Sequence, residues 1–113
     1  MPFIDSKISV KVTDEQKDLI KSEIGKAASI IGKPESFVMV GIQDEYTLYF
    51  AGNKLEKGAY VSVDVLGQAN SPACEKMTAK ICEIYESILG IPGSNIYVEY
   101  RSTPDWGWNG RNF

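Results

Sequence analysis

The chain has 113 residues, of which 15 are acidic and 12 basic, for a net charge of −3 and no histidine. That length suits one domain, residues 1–113, able to bury a core without staples, while the acidic balance has the wrong sign for a nucleic-acid partner. Without histidine, Ser-His-Asp and Cys-His catalysis and most zinc sites are excluded, and neither a signal peptide nor an apolar membrane span is present. A cytoplasmic protein is expected, one that would leave the cell only by a non-classical route.

Met1-Pro2 opens the chain, and a strand-like run from Phe3 to Val10 follows at once. A small second residue permits removal of the initiator methionine, which would leave Pro2 with a free secondary amine. An α-amino group titrates at about 7.7 to 8.0, and apolar surroundings lower that value, so such an amine serves as a general base near neutral pH. The plainer reading is a proline that starts a strand where its missing N–H does no harm.

Thr13 and Gln16 form a capping box with acids in the first turn, and Ile20, Ile24, Ala27 and Ile31 make one apolar helical stripe ending at Gly32. Phe37 to Ile42 reads as a second strand, giving a right-handed βαβ unit with parallel strands. Residues 43–58 are the least periodic and read as a connection, with a short strand at Thr47–Phe50 and a turn at Ala51-Gly52-Asn53.

The second half repeats the first. Ala59 to Leu66 alternates with Val61, Val63 and Val65 on one face; Ser71 reads as a helix N-cap and Pro72 as the first helical residue. The stripe Met77, Ile81, Ile84, Ile88 follows the first stripe at a displacement of 57, and Gly90-Ile91-Pro92-Gly93-Ser94 echoes Gly32-Lys33-Pro34-Glu35-Ser36 at 58. A strand from Asn95 to Tyr100 completes the copy. The fold class is therefore α/β (α+β): two βαβ repeats, about 2–42 and 59–100, in a four-stranded mixed sheet with both helices on one face. Cys74 and Cys82 lie about 12 Å apart along one helix, too far for a disulfide, and Cys-x-x-Cys is absent. The tail from Arg101 to Phe113 holds Trp106, Trp108 and Phe113 and is expected to dock rather than hang free.

Met1-Pro2 before a strand, Gly32-Lys33-Pro34, Val65-Leu66-Gly67, Ile96-Tyr97-Val98 and Gly107-Trp108-Asn109-Gly110 with Phe113 together resemble the macrophage migration inhibitory factor family of the tautomerase superfamily. The resemblance runs from end to end. It implies a homotrimer with an active site at each subunit interface, no metal or cofactor, and keto–enol tautomerisation of phenylpyruvate-type 2-oxo acids or dopachrome derivatives. It also implies Pro2 as base, with Lys33 and the backbone N–H of Leu66 holding the substrate carboxylate. Tyr97 of a neighbouring subunit would line the pocket, and Phe37, Trp106, Trp108 and Phe113 would wall it. Read from the residues alone, Lys33 is a cation at a helix end, Tyr97 a strand aromatic, and the four aromatics trimer packing. Glu99 stands where the best-known mammalian members have asparagine, a change that would repel acidic substrates or raise the Pro2 pKa. Gly58-Ala59-Tyr60-Val61 replaces their Cys-x-x-Cys, so no thiol redox activity is expected. The family includes extracellular signalling proteins, so a cytokine-like role at a cell-surface receptor is the alternative to catalysis. An RNA-recognition domain, which shares the βαββαβ order, is disfavoured by the lack of its aromatic strand motif.

Overall fold

In the computed structural model, which describes residues 1–113, the order is β1 (Pro2–Ile8), α1 (Asp14–Ala27), β2 (Met39–Gln43), β3 (Tyr49–Phe50), β4 (Asn53–Lys54), β5 (Ala59–Leu66), α2 (Ser71–Leu89), β6 (Ile96–Thr103), β7 (Gly107–Trp108) and β8 (Arg111–Asn112). The main sheet runs β2-β1-β5-β6, with β1–β2 and β5–β6 parallel and β1–β5 antiparallel. The two βαβ units thus meet along β1 and β5, as the repeat requires. No helix is long and apolar enough to cross a membrane.

Both helices cover one face. Ile20, Ile24 and Ala27 of α1 and Met77, Ile81 and Ile84 of α2 are buried against Ile4, Ile8, Val61, Val63 and Val65 in one apolar cluster. Each such side chain contributes about 1.5 to 3 kcal/mol by leaving water. Two tyrosines fasten α2 to the sheet. The Tyr85 hydroxyl pairs with Ser6 in the core, and Tyr100 bonds Thr78 Oγ1 at 2.8 Å and the Cys74 carbonyl at 2.9 Å. Cys74 and Cys82 are free thiols. The opposite face carries Asp5, Lys7, Ser62 and Asp64, and Lys7 Nζ lies 3.4 Å from Asp5 Oδ2.

Several boundaries differ from the sequence expectation. The first strand ends at Ile8, where Ser9 turns to bond the Gly58 carbonyl at 3.0 Å. Residues 28–31 tighten into a 3₁₀ turn, so Ile31 is only half-buried. The second strand begins at Met39 because Glu35–Phe37 form another 3₁₀ turn. Asn70, rather than Ser71, caps α2: its Oδ1 accepts from Ala73 N at 3.0 Å, and Ser71 and Pro72 fall inside the first turn. The last strand continues to Thr103, paired with Leu66.

The repeat also reaches further than the βαβ units. The stretch read as a connection contains the hairpin β3–β4, and the tail contains the hairpin β7–β8. They superpose in sequence at a displacement of 58. Ala51 and Gly52 turn with φ of 50° and 81°, and Asn109 and Gly110 with 53° and 82°. Leu55 N bonds Leu48 O at 2.9 Å, and Phe113 N bonds Trp106 O at 3.0 Å. Gly32 and Gly90 match as well, both left-handed helix ends at φ 74° and 68° that a side chain would strain.

Candidate active site

Four segments converge where β1 begins. Pro2 is buried and lies opposite Val65 in the antiparallel ladder, which brings the end of β5 beside the chain start. The ladder runs one rung beyond Pro2, since Leu66 N donates to the Met1 carbonyl at 3.2 Å. The left-handed Gly32 then delivers Lys33 to the same place. Its backbone N–H closes the helix on Ala28 O at 3.0 Å, while its ammonium leaves the helix and donates to Leu66 O at 3.0 Å. The side chain therefore bonds across to β5 rather than to its own last carbonyls, and an ammonium retains two further N–H donors.

Beside Pro2 opens a cleft of about 320 Å³, walled by Phe37, Met39, Trp106 and Trp108. Trp108 meets Phe37 edge-on at 6.3 Å and stacks on Phe113 at 5.9 Å with planes 9° apart, the offset and edge geometries that aromatic quadrupoles favour. Phe37, Trp108 and Phe113 are nevertheless 48%, 58% and 53% exposed. Hairpin β7–β8 thus docks on its own chain through Phe37 and leaves aromatic surface uncovered.

The local electrostatics favour a neutral amine. Burial, and after it the Lys33 cation, hold the Met1 α-amine below its ordinary value.

Pro2, Lys33, Leu66, Phe37, Trp106, Trp108 and Phe113 are thus gathered at one corner; Tyr97 and Glu99 are not. Tyr97 pairs in register with Tyr60, five positions from Val65, or about 17 Å along β5. It packs on Phe50 at 5.3 Å between ring centres. Glu99 is not a free carboxylate. Arg101 bonds it through Nε, and the Tyr60 hydroxyl donates to its Oε2 at 2.7 Å. These bonds, Arg101's first, hold its carboxyl below the usual range. Sequence reading missed Tyr60 and Arg101 as partners of Glu99, because only the β5–β6 register brings Tyr60 near. It also missed the Met1–Leu66 bond. No group of acidic, cysteine or histidine side chains is placed to hold a metal.

A doubled βαβ fold with an N-terminal proline and aromatics around one cleft, and a lysine bonded to the adjacent end of β5, has the tautomerase superfamily architecture. The family model for macrophage migration inhibitory factor matches residues 1–113, and the chain belongs to that family. It is similar to the crystal structure of Leishmania major MIF2, at 35% identity, TM-score 0.93 and coverage of 100% of this chain and 97% of that one. It is 28% identical to the macrophage migration inhibitory factor homolog of Trichinella spiralis over the full length of both. A fused 4-OT symmetric trimer shares the fold alone, at 21% identity and TM-score 0.86 over 97% of this chain and 94% of that one.

Proposed function

We propose that the protein is a keto–enol tautomerase of phenylpyruvate- or dopachrome-type substrates, with the Pro2 amine as base once Met1 is removed. The observation that carries this reading is the meeting of Pro2 and the Phe37–Trp108 pair at one cleft, with Lys33 reaching the adjacent end of β5 through Leu66 O. The Lys33 ammonium and the Leu66 N–H bind the substrate carboxylate, and the aromatic wall takes the aryl ring. The neutral amine accepts the enol hydroxyl proton, the carbonyl forms, and the resulting ammonium returns a proton to the adjacent carbon, which restores the base. The buried position of Pro2 favours the neutral amine with which the cycle begins.

The working form is a homotrimer. Aromatic surface left open at the cleft and the 64% exposed Tyr97 favour packing against further copies. The trimeric fold neighbour supports the same assembly. In it, Tyr97 and Glu99 of a neighbouring copy close the cleft, Glu99 with its charge already offset by Arg101.

The test is phenylpyruvate tautomerisation by protein shown by mass spectrometry to lack Met1, beside Pro2→Gly. Activity in the first and a loss of about 100-fold or more in the second are expected. An inactive Met1-free chain, or a fully active variant, sinks the reading.

A further inference from the structure

We propose that Asn109, at the tip of hairpin β7–β8, is a site of spontaneous deamidation, and that the isoaspartate it yields loosens the aromatic wall of the cleft. The modification needs only the chain and water; its effect on ligand rests on the functional reading above. Before a glycine, the backbone amide that attacks an asparagine carboxamide meets no side chain on its way. Of the five asparagines, Asn109 is the one followed by glycine. Both reacting groups are also free: no hydrogen bond holds the Asn109 carboxamide or the Gly110 N–H, and both residues are exposed. The other asparagines are tied down. Asn53 Nδ2 donates to Ala51 O at 3.4 Å, Asn70 Oδ1 accepts from Ala73 N at 3.0 Å, and Asn95 Nδ2 donates to Lys57 O at 2.9 Å. Asn112 precedes Phe113, whose N–H donates to Trp106 O at 3.0 Å.

The Gly110 nitrogen attacks Asn109 Cγ: an N–Cγ bond forms, the Cγ–Nδ2 bond breaks, and Nδ2 leaves as ammonia with the amide proton. Water then opens the cyclic imide. Attack at Cγ breaks the new bond and gives aspartate. Attack at the main-chain carbonyl carbon of position 109 breaks the original peptide bond instead, and the chain then runs through Cβ and Cγ as isoaspartate. Closing the imide ring requires the turn to rearrange, and a hairpin of two rungs, Gly107–Asn112 and Trp108–Arg111, opens readily. The turn holds Asn109 and Gly110 at φ 53° and 82°. A two-residue turn of this kind has no place for the extra backbone atom of isoaspartate, so the Trp108–Arg111 rung is lost. Trp108 is the residue that meets Phe37 at 6.3 Å and stacks on Phe113, and the wall loosens with it. Ala51-Gly52 takes the same two conformations, φ 50° and 81°, without a carboxamide. The first hairpin is therefore inert and supplies the control substitution.

The test incubates Met1-free protein at mildly alkaline pH and follows each asparagine by peptide mass spectrometry, beside Asn109→Ala, which copies the Ala51-Gly52 turn. Conversion at Asn109 is expected to run at least about tenfold faster than at the other asparagines. A change in tryptophan fluorescence should accompany it in the wild type and be missing from the variant. Affinity for 3-phenylpropionate, an aryl carboxylate that cannot tautomerise, is expected to fall by about threefold or more in aged wild type and to hold in aged Asn109→Ala. Conversion at Asn109 no faster than at Asn53, Asn70, Asn95 and Asn112 overturns the site. Isoaspartate-bearing protein with unchanged fluorescence and probe affinity overturns the loosening while leaving the tautomerase reading standing. Fresh protein that neither binds the probe nor turns over phenylpyruvate sinks that reading alone, and mass and fluorescence then decide the deamidation.

Discussion

The corner where β1 begins and the corner where β5 begins are built on one backbone plan and hold different chemistry. In the first, Pro2, Phe37, Trp106 and Trp108 border an open cleft, Phe113 stacks behind Trp108, and Lys33 bonds the end of β5 nearby. In the second, the positions matching Pro2, Lys33 and Phe37 are Ala59, Ile91 and Asn95, under the hairpin of Leu48, Phe50 and Leu55. Ile91 is fully buried, and Asn95 donates from Nδ2 to the Lys57 carbonyl at 2.9 Å. The left-handed glycines, the 3₁₀ turns and the hairpin bonds agree between the corners. Backbone geometry therefore does not make the candidate site; it makes a place that three side chains turn into a cleft or into core.

The halves differ at their centre too. Ser6 and Tyr85 form a buried polar pair, while the positions related to them by the repeat are Val63 and Ala28, both fully buried and apolar. One copy thus solves its packing with a hydrogen bond and the other with hydrocarbon.

Exchanging the corner residues tests how far the plan is shared. Ile91→Lys places an unpaired ammonium where the second corner is packed, and a loss of about 3 to 5 kcal/mol in urea unfolding is expected. A stability change under 1 kcal/mol would mean that the second corner opens as readily as the first.

The central pair predicts a pH effect confined to one copy. Burial pushes the Tyr85 phenol up to about 12, above its unfolded value of 10. Its contribution is complete below pH 10 and is lost as pH rises through 12, because the unfolded chain releases the proton first. At its fullest this is about 2 to 3 kcal/mol. Urea midpoints measured between pH 9 and 11 should fall with rising pH, and Tyr85→Phe should flatten that fall. An unchanged slope in the variant would place the alkaline sensitivity elsewhere, with Tyr60 and Tyr100, whose values are also raised, the next to examine.

The smallest effect is expected from making the first corner resemble the second. Lys33→Ile should lower kcat/KM for phenylpyruvate by about tenfold or more, near 1.4 kcal/mol, with the thermal midpoint held or raised. Retained kcat/KM would show that Lys33 only ties β5 to the helix end.

Much of this architecture is legible in the sequence. Ile20, Ile24 and Ala27 against Met77, Ile81 and Ile84 announced two equivalent helices, because helical burial imposes a period that survives changes of residue. Gly32-Lys33-Pro34 and Gly90-Ile91-Pro92 announced equivalent helix exits through the glycine and proline conformations. The hairpins were not legible as copies: strands of two residues have no period, and Phe50 and Trp108 share only apolar character. Asn109-Gly110 carried the one local sign, a turn of the type that closes tight hairpins. At α2, Ser71-Pro72 imitates a cap followed by a first-turn proline and masks Asn70. The Leu66–Met1 bond and the Tyr60–Glu99 bond depend on strand register, which no local pattern contains.

Only Glu56, Lys57 and Gly58 separate Leu55, the end of the first hairpin, from Ala59, the start of the second copy. The end of one unit thus lies close in sequence to the beginning of the next. A chain of half this length, pairing with itself across the β1–β5 seam, would present a terminal nitrogen at both corners. Joining the units through three residues turns the second of those nitrogens into a peptide amide bonded to Gly58, which no processing of the N-terminus can release. The asymmetry in chemistry therefore begins with connectivity: once two units share one chain, a single corner can ever carry an amine, and the other is free to be filled with hydrocarbon.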